Sequence, residues 1–84
     1  MNITIRKFQD TAQRNVWVFQ DENSEIINSK GEINFYNGGW SRRAEAQIVA
    51  KQLLREGKFT SVRYEYIGKD SDGIRTIKSK ELKA

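Results

Sequence analysis

Residues 41–56 read SRRAEAQIVAKQLLRE, and this stretch decides the fold. Its apolar side chains recur at the i, i+3, i+4, i+7 spacing of one helix face. Ser41 is suited to cap the first turn, and Gly57 is suited to end the helix in a left-handed conformation. The small side chains on this face indicate close packing against a sheet, and the predicted buried stripe is Ala46, Val49, Ala50 and Leu53.

The other side of this helix is polar. Arg43, Gln47 and Lys51 follow one another at i, i+4 spacing, and we expect them to face away from the sheet. Arg42 and Arg43 lie in the first turn, where positive charge opposes the helix dipole at a cost of roughly a few tenths of a kcal/mol each. This unfavourable placement suggests that the two arginines contact a partner.

Short strands are predicted before the helix. Alternating apolar and polar residues, or β-branched and aromatic ones, are typical of strands. These patterns predict four strands, near residues 3–8, 16–19, 25–29 and 33–36.

A hairpin is predicted after the helix. Residues 60–67 and 74–78 alternate in polarity, and the loop between them ends in Asp-Gly, a common hairpin turn. Residues 79–84 are polar, and we expect them to form a frayed tail.

These elements predict an α+β fold. The expected architecture is an antiparallel β-sheet of about five to six short strands with one amphipathic helix packed on one face, in the order β-meander, helix, β-hairpin. With 84 residues, the chain is expected to form one small domain over residues 1–84.

The composition argues against catalysis. The chain has no cysteine and no histidine, so the common nucleophiles, general bases and zinc ligands are missing. The loop Asp70-Ser71-Asp72-Gly73 is similar to the start of a calcium loop, but Gly68 and Ser79 stand where that loop needs acids. We therefore expect no enzyme activity, no catalytic residue, no metal and no cofactor.

The first ten residues, MNITIRKFQD, contain no apolar run of the kind found in a signal peptide. No stretch approaches the roughly 20 apolar residues that a membrane-spanning helix needs. A cytoplasmic location without membrane contact is the resulting expectation.

Positive charge is concentrated in the second half of the chain. The net charge is +4, and residues 41–84 hold eleven basic and six acidic residues, a net charge of +5. A basic surface attracts polyanions. We therefore predict a nucleic-acid contact surface on the start of the helix and the last hairpin, made by Arg42, Arg43, Lys51, Arg63, Arg75 and Lys78, with Trp40 beside them.

A second hypothesis is a protein-binding accessory or inhibitor of the kind that viruses and mobile elements encode, with a host protein as partner. The strand at residues 16–19 carries apolar side chains on both faces, and an exposed apolar patch would mark such a site. A homodimer that buries Trp17 and Phe19 is one form of this hypothesis. The sequence leaves open whether Trp17, Phe19 and Trp40 belong to the core or to an interface.

Overall fold

Five strands and one helix follow one another in a computed structural model that describes residues 1–9, 12–33 and 39–84. In chain order, the elements are β1 (Asn2–Gln9), β2 (Asn15–Asp21), β3 (Ile26–Ile27), α1 (Arg43–Arg55), β4 (Ser61–Lys69) and β5 (Arg75–Leu82).

The strands form one sheet in the order β3-β2-β1-β4-β5, with the helix on one face. The predicted α+β class and its single helix are confirmed. The pairing of β1 with β4 is parallel, whereas the other three pairs are antiparallel. The helix carries the chain back along the sheet, so β4 begins beside the start of β1, where Thr60 N donates to Met1 O at 2.8 Å.

The helix ends as predicted but begins one residue later than expected. The residue at the N-cap is Arg42 rather than Ser41, and no side chain caps the first turn. Gly57 takes a φ of +77°, and its N–H donates to Leu54 O at 3.1 Å. The predicted stripe packs on the sheet: Ala46, Ala50 and Leu53 are buried, and Val49 is partly buried against them.

The outer side of the helix differs from the prediction. Ile48, with 70% of its surface exposed, faces away from the sheet. Arg43, Gln47 and Lys51 are all partly buried. Because successive residues turn by about 100°, these three flank the buried stripe rather than oppose it.

The core lies between the helix and one face of the sheet. Phe19 is completely buried there and packs edge-on against Phe59, with ring centroids 5.4 Å apart. Every described side chain that is fully removed from water is apolar. The members of this cluster are Ile3, Ile5, Phe19, Ile27, Ala46, Ala50, Leu53, Phe59, Val62 and Leu82.

Strand β2 is covered on both faces, which explains its apolar sequence. Phe19 lies under the helix, while Val18 is 3% exposed on the opposite face, where Gly39 packs against it. Trp17 packs against the core. Because Phe19 is already buried within its own chain, the predicted homodimer cannot be built on it.

The last strand is longer than predicted. The polar residues 79–84 were expected to fray, but β5 continues to Leu82. Leu82 pairs with Val62 and is only 7% exposed. The buried side chain of Leu82 holds the end of the strand against the core. The polar residues around it in the sequence hid this role from prediction.

The described residues between β2 and the helix, 22–33 and 39–42, hold less regular structure than expected. The strand predicted at residues 25–29 is reduced to Ile26–Ile27. Of the strand predicted at residues 33–36, Ile33 forms an isolated bridge with Ile27, and the other three residues lie outside the described part of the chain. Within the described residues, no helix is long and apolar enough to cross a membrane.

Candidate functional site

The sheet splits between β1 and β4. The two strands pair only from Asn2–Ser61 to Ile5–Tyr64, although both continue for several residues. Beyond this point β1 pairs only with β2, and β4 pairs only with β5. The split forms a cleft of about 200 Å³ lined by Lys7, Trp17, Arg43, Glu65, Tyr66, Ile67 and Ile77.

Arg43 reaches from the first turn of the helix into this cleft. Its guanidinium carbon lies 5.5 Å from the centre of the Trp17 ring and 5.1 Å from the centre of the Tyr64 ring, which are cation–π distances. Its Nη1 donates to the carbonyl oxygen of Glu65 at 3.4 Å, at a point where β4 no longer pairs with β1. Its Nε is buried and has no hydrogen-bond partner among the described residues.

Tyrosines and lysines of the β4–β5 hairpin continue the surface beside Arg43. Tyr64 and Tyr66 lie on the helix side of β4, and the residue between them points to the opposite face of the sheet. The centroids of their rings lie 6.1 Å apart. Lys80 and Lys78 stand opposite them on β5. The Nζ of Lys80 lies 5.4 Å from the centre of the Tyr66 ring. We call this surface the helix-side groove and define it as Arg43, Tyr64, Tyr66, Lys78 and Lys80.

The backbone of β4 makes room for Lys78 in the groove. A Cβ on Gly68 would lie 2.8 Å from Cδ of Lys78, so the glycine lets the lysine chain cross β4. The Nζ of Lys78 then donates to Lys69 O at 2.8 Å. This contact holds the ammonium group at the end of the groove.

Along strands β4 and β5, the helix-side groove carries positive charge and no acid. The residues of β4 and β5 alternate between the two faces of the sheet. The acids of these strands, Glu65 and Glu81, point to the opposite face. There Glu65 binds Arg6 with an N–O distance of 3.2 Å.

The predicted contact residues are divided between the two faces of the sheet. Arg43 and Lys78 belong to the helix-side groove, and Lys51 lies two helical turns from Arg43 on the same side of α1. Arg63 and Arg75 share the opposite face, as the alternation of β4 and β5 predicts. On that face, Arg63 Nη2 donates a hydrogen bond to Ser79 Oγ at 3.0 Å.

Trp40 and Arg42 stand just before the helix. Trp40 pairs with Trp17 through two backbone hydrogen bonds of 2.7 and 2.8 Å. Its ring lies 4.5 Å from that of Phe19, so much of this side chain packs on the core. Arg42 is exposed and lies one residue before Arg43. Of the two, Arg42 has the more accessible side chain.

Sequence reasoning missed Tyr66, Lys80 and Trp17 as members or neighbours of this site. The sequence left open whether Trp17 belongs to the core or to an interface, and Trp17, Tyr64 and Tyr66 are all partly buried. The hairpin turn is the sequence feature that could have located these residues. In this turn, Asp70 Oδ1 accepts hydrogen bonds from the backbone N–H groups of Asp72 and Ile74, at 2.9 Å each. This turn sets the register that places the lysines beside the tyrosines.

The groove offers cations and aromatic rings, a combination that binds anions and flat bases. In the described residues there is no group of three or more acidic side chains that could hold a metal ion. Comparisons with protein-family models, with curated proteins and with solved structures found no match. The function proposed below is therefore based on the geometry of this site.

Proposed function

We propose that this chain is a small non-catalytic module that binds single-stranded nucleic acid in the helix-side groove. The observation that carries the proposal is the placement of three cations and two partly buried tyrosines on one surface, with the acids of strands β4 and β5, Glu65 and Glu81, on the opposite face. Proteins that bind single strands combine a positive groove with aromatic rings on which bases stack. Phosphates would lie near Lys78 and Lys80, and a base would lie near Tyr66.

The cleft beside Arg43 supports a more specific contact. Arg43 is held between two rings, and its Nε has no acceptor among the described residues. A guanidinium group binds phosphate or a base edge through several N–H groups at once. We assign Arg43 the role of an anchor at the end of the groove nearest the helix, with Lys7 of β1 lining the same cleft.

Removing two charges from the groove is the first test. We expect the double substitution Lys78→Gln and Lys80→Gln to weaken binding of a single-stranded oligonucleotide about tenfold at low salt. The slope of log K against log salt should also become shallower by about 1.4, because each phosphate contact on a single strand contributes about 0.7. Fluorescence anisotropy titrations over a series of salt concentrations measure both quantities.

The matched control for this test lies on the opposite face. Arg63→Gln with Arg75→Gln removes the same charge from the same hairpin, and we expect less than a threefold loss of affinity. If the control variant loses as much as the groove variant, net charge rather than the groove determines binding. If the unmodified protein binds no DNA or RNA at low salt, the proposed function is wrong.

Removing a ring separates stacking from charge. We expect Tyr66→Leu to lower affinity by about 1 kcal/mol or more, since stacking of one base on an aromatic ring contributes about 1–3 kcal/mol. The salt slope should stay unchanged because no charge is lost. The same titrations measure this, with thermal unfolding as a check on the fold. An unchanged affinity would remove Tyr66 from the site.

A protein partner is the second candidate function, and one observation favours it. Ile67 and Ile77 stand opposite each other on the face without the helix, and they are 55% and 70% exposed. Such apolar pairs are common at protein contacts. An accessory or inhibitor role would take precedence if no oligonucleotide binds and a pull-down that survives nuclease treatment recovers a protein partner.

A further inference from the structure

Among the described residues, no strand pairs with the outer edge of β5, so the sheet has a long unpaired edge. It is the outermost strand, it runs for eight residues, and its register with β4 continues from Arg75 to Leu82 without a bulge. It contains no proline. The strand at the other edge, β3, has only two residues. Unpaired edges of this length are templates for pairing with another chain unless the protein blocks them.

The side chains that usually protect an edge strand are engaged elsewhere. Lysine is the residue that proteins most often use for this protection. The two lysines of β5 lean over the helix-side groove, where Lys80 covers Tyr66 and Lys78 donates to the backbone of Lys69. On the opposite face, β5 instead presents Ile77 to water.

The backbone of β5 has a defined set of groups directed outward. Asp70 N donates to Ile74 O at 2.9 Å, so Ile74 points its carbonyl group toward β4. Because these directions alternate along an antiparallel pair, the N–H and C=O groups of Arg75, Ile77, Ser79 and Glu81 point away from the sheet. Ser79 O accepts one weak bond of 3.4 Å from Arg63, which leaves its second lone pair free.

We propose that β5 pairs antiparallel with β5 of a second copy of this chain, with Ile77 on the two-fold axis. In this register Ile77 faces its own counterpart, and Arg75 faces the second copy's Ser79. About six backbone hydrogen bonds would form, two for each of three outward-facing pairs. Ile67, which stands beside Ile77, extends the contact into an apolar row across both copies.

Repulsion between lysines disfavours the two neighbouring registers. With Ile77 on the axis, Thr76 faces the second copy's Lys78, and no two like charges stand directly opposite. Moving the axis to Lys78 sets Arg75 opposite the second copy's Glu81 but places Lys78 against itself, and moving it to Ser79 places Lys78 against Lys80 on both sides of the axis. Like charges directly opposite are destabilising in a sheet. The strand is therefore self-complementary in the register centred on Ile77.

Pairing through β5 would place the helix-side grooves of the two copies next to each other. The two-fold axis is perpendicular to the sheet, so both helices lie on the same face. The five-stranded sheet doubles, and the grooves of the two copies adjoin along their β5 strands. The dimer itself does not depend on the proposed function, because its hydrogen bonds and apolar contacts involve no ligand.

A concentration series tests the dimer without nucleic acid. We expect sedimentation velocity to show a monomer–dimer equilibrium with a Kd on the order of 10 µM, as is typical of a small interface. Ile77→Lys should weaken association at least tenfold, because two positive charges would meet on the axis. Ile48→Lys is the matched control, since Ile48 is also 70% exposed but lies on the outer side of the helix, and it should change association less than twofold.

The register is tested by cysteine substitution in a chain that has no cysteine. Paired residues on the axis have Cα atoms about 5.5 Å apart, within the range for a disulfide. Ile77→Cys should therefore form a covalent dimer under mild oxidation, while Ser79→Cys should not. A chain that stays monomeric at all concentrations would overturn the proposal. Equal weakening by both lysine substitutions would also overturn it, and crosslinking at Ser79→Cys alone would overturn the register.

Discussion

Replacing Gly39 by alanine is expected to lower the free energy of unfolding by about 2–5 kcal/mol. Two costs add at this position. Gly39 has a φ of +68°, and an L-residue in the left-handed region costs about 1–2 kcal/mol. An added Cβ would also lie 2.5 Å from Trp17 O and 2.9 Å from Cγ1 of Val18, and overpacking of this kind costs about 1–3 kcal/mol.

The clash at Gly39 is severe because its nearest neighbour is backbone. Trp17 O already accepts a hydrogen bond from Trp40 N at 2.8 Å, so it cannot move without breaking that bridge. Losing the bridge would also release the Trp40 ring from Phe19. Urea denaturation followed by tryptophan fluorescence reports both the stability and the environment of these rings.

Gly57→Ala is the matched control for this prediction. Gly57 has a φ of +77°, but an added Cβ there would have no atom within 4 Å. It should therefore cost only the conformational part, about 1–2 kcal/mol. Equal losses for the two variants would show that the contact between Gly39 and β2 contributes nothing to stability.

Replacing Leu82 by alanine is expected to cost about 2–4 kcal/mol, within the range for truncating a buried leucine. Leu82 is 7% exposed, belongs to the core cluster and pairs with Val62. A domain of this length has a total stability of roughly 4–13 kcal/mol, so the loss is a large share of it. Thermal unfolding by circular dichroism measures the change.

Two truncations show whether the end of β5 supports the core. Removing residues 79–84 deletes Leu82 and the four β4–β5 pairs that follow Lys78, so it should destabilise the domain at least as much as Leu82→Ala. Removing only residues 83–84, which lie beyond the strand, should change stability by less than about 0.5 kcal/mol. A stable protein ending at Lys78 would contradict the structural role of Leu82.

Local patterns predicted the parts of the fold that depend on near neighbours in sequence. The helix stripe from Ala46 to Leu53 and the stop at Gly57 follow from spacing and from the conformational freedom of glycine. The hairpin after the helix follows from alternation and the Asp-Gly turn. The end of β5 was missed because residues 79–84 look polar, and only a contact with Val62 shows that Leu82 belongs to the core.

The sequence predicted only part of the candidate site, again because contacts between distant residues decide the rest. Positive charge in the second half of the chain led to Arg43 and Lys78, but it also led to Arg63 and Arg75 on the other face. Tyr64 and Tyr66 were not among the predicted contact residues, because the burial of a strand residue depends on what covers the strand. The helix packs on β1, β2 and β4 but makes no comparable contact with β5. Tyr64 and Tyr66, on the side of β4 next to β5, are therefore only partly buried.

The sequence by itself determined the α+β class, one amphipathic helix within residues 41–56 and the excess of positive charge after residue 40. Each of these is a property of residues close together along the chain. The parallel pairing of β1 with β4, the split that admits Arg43 and the free edge of β5 were decided only by the tertiary structure. They depend on contacts between residues far apart in sequence, which no local pattern records.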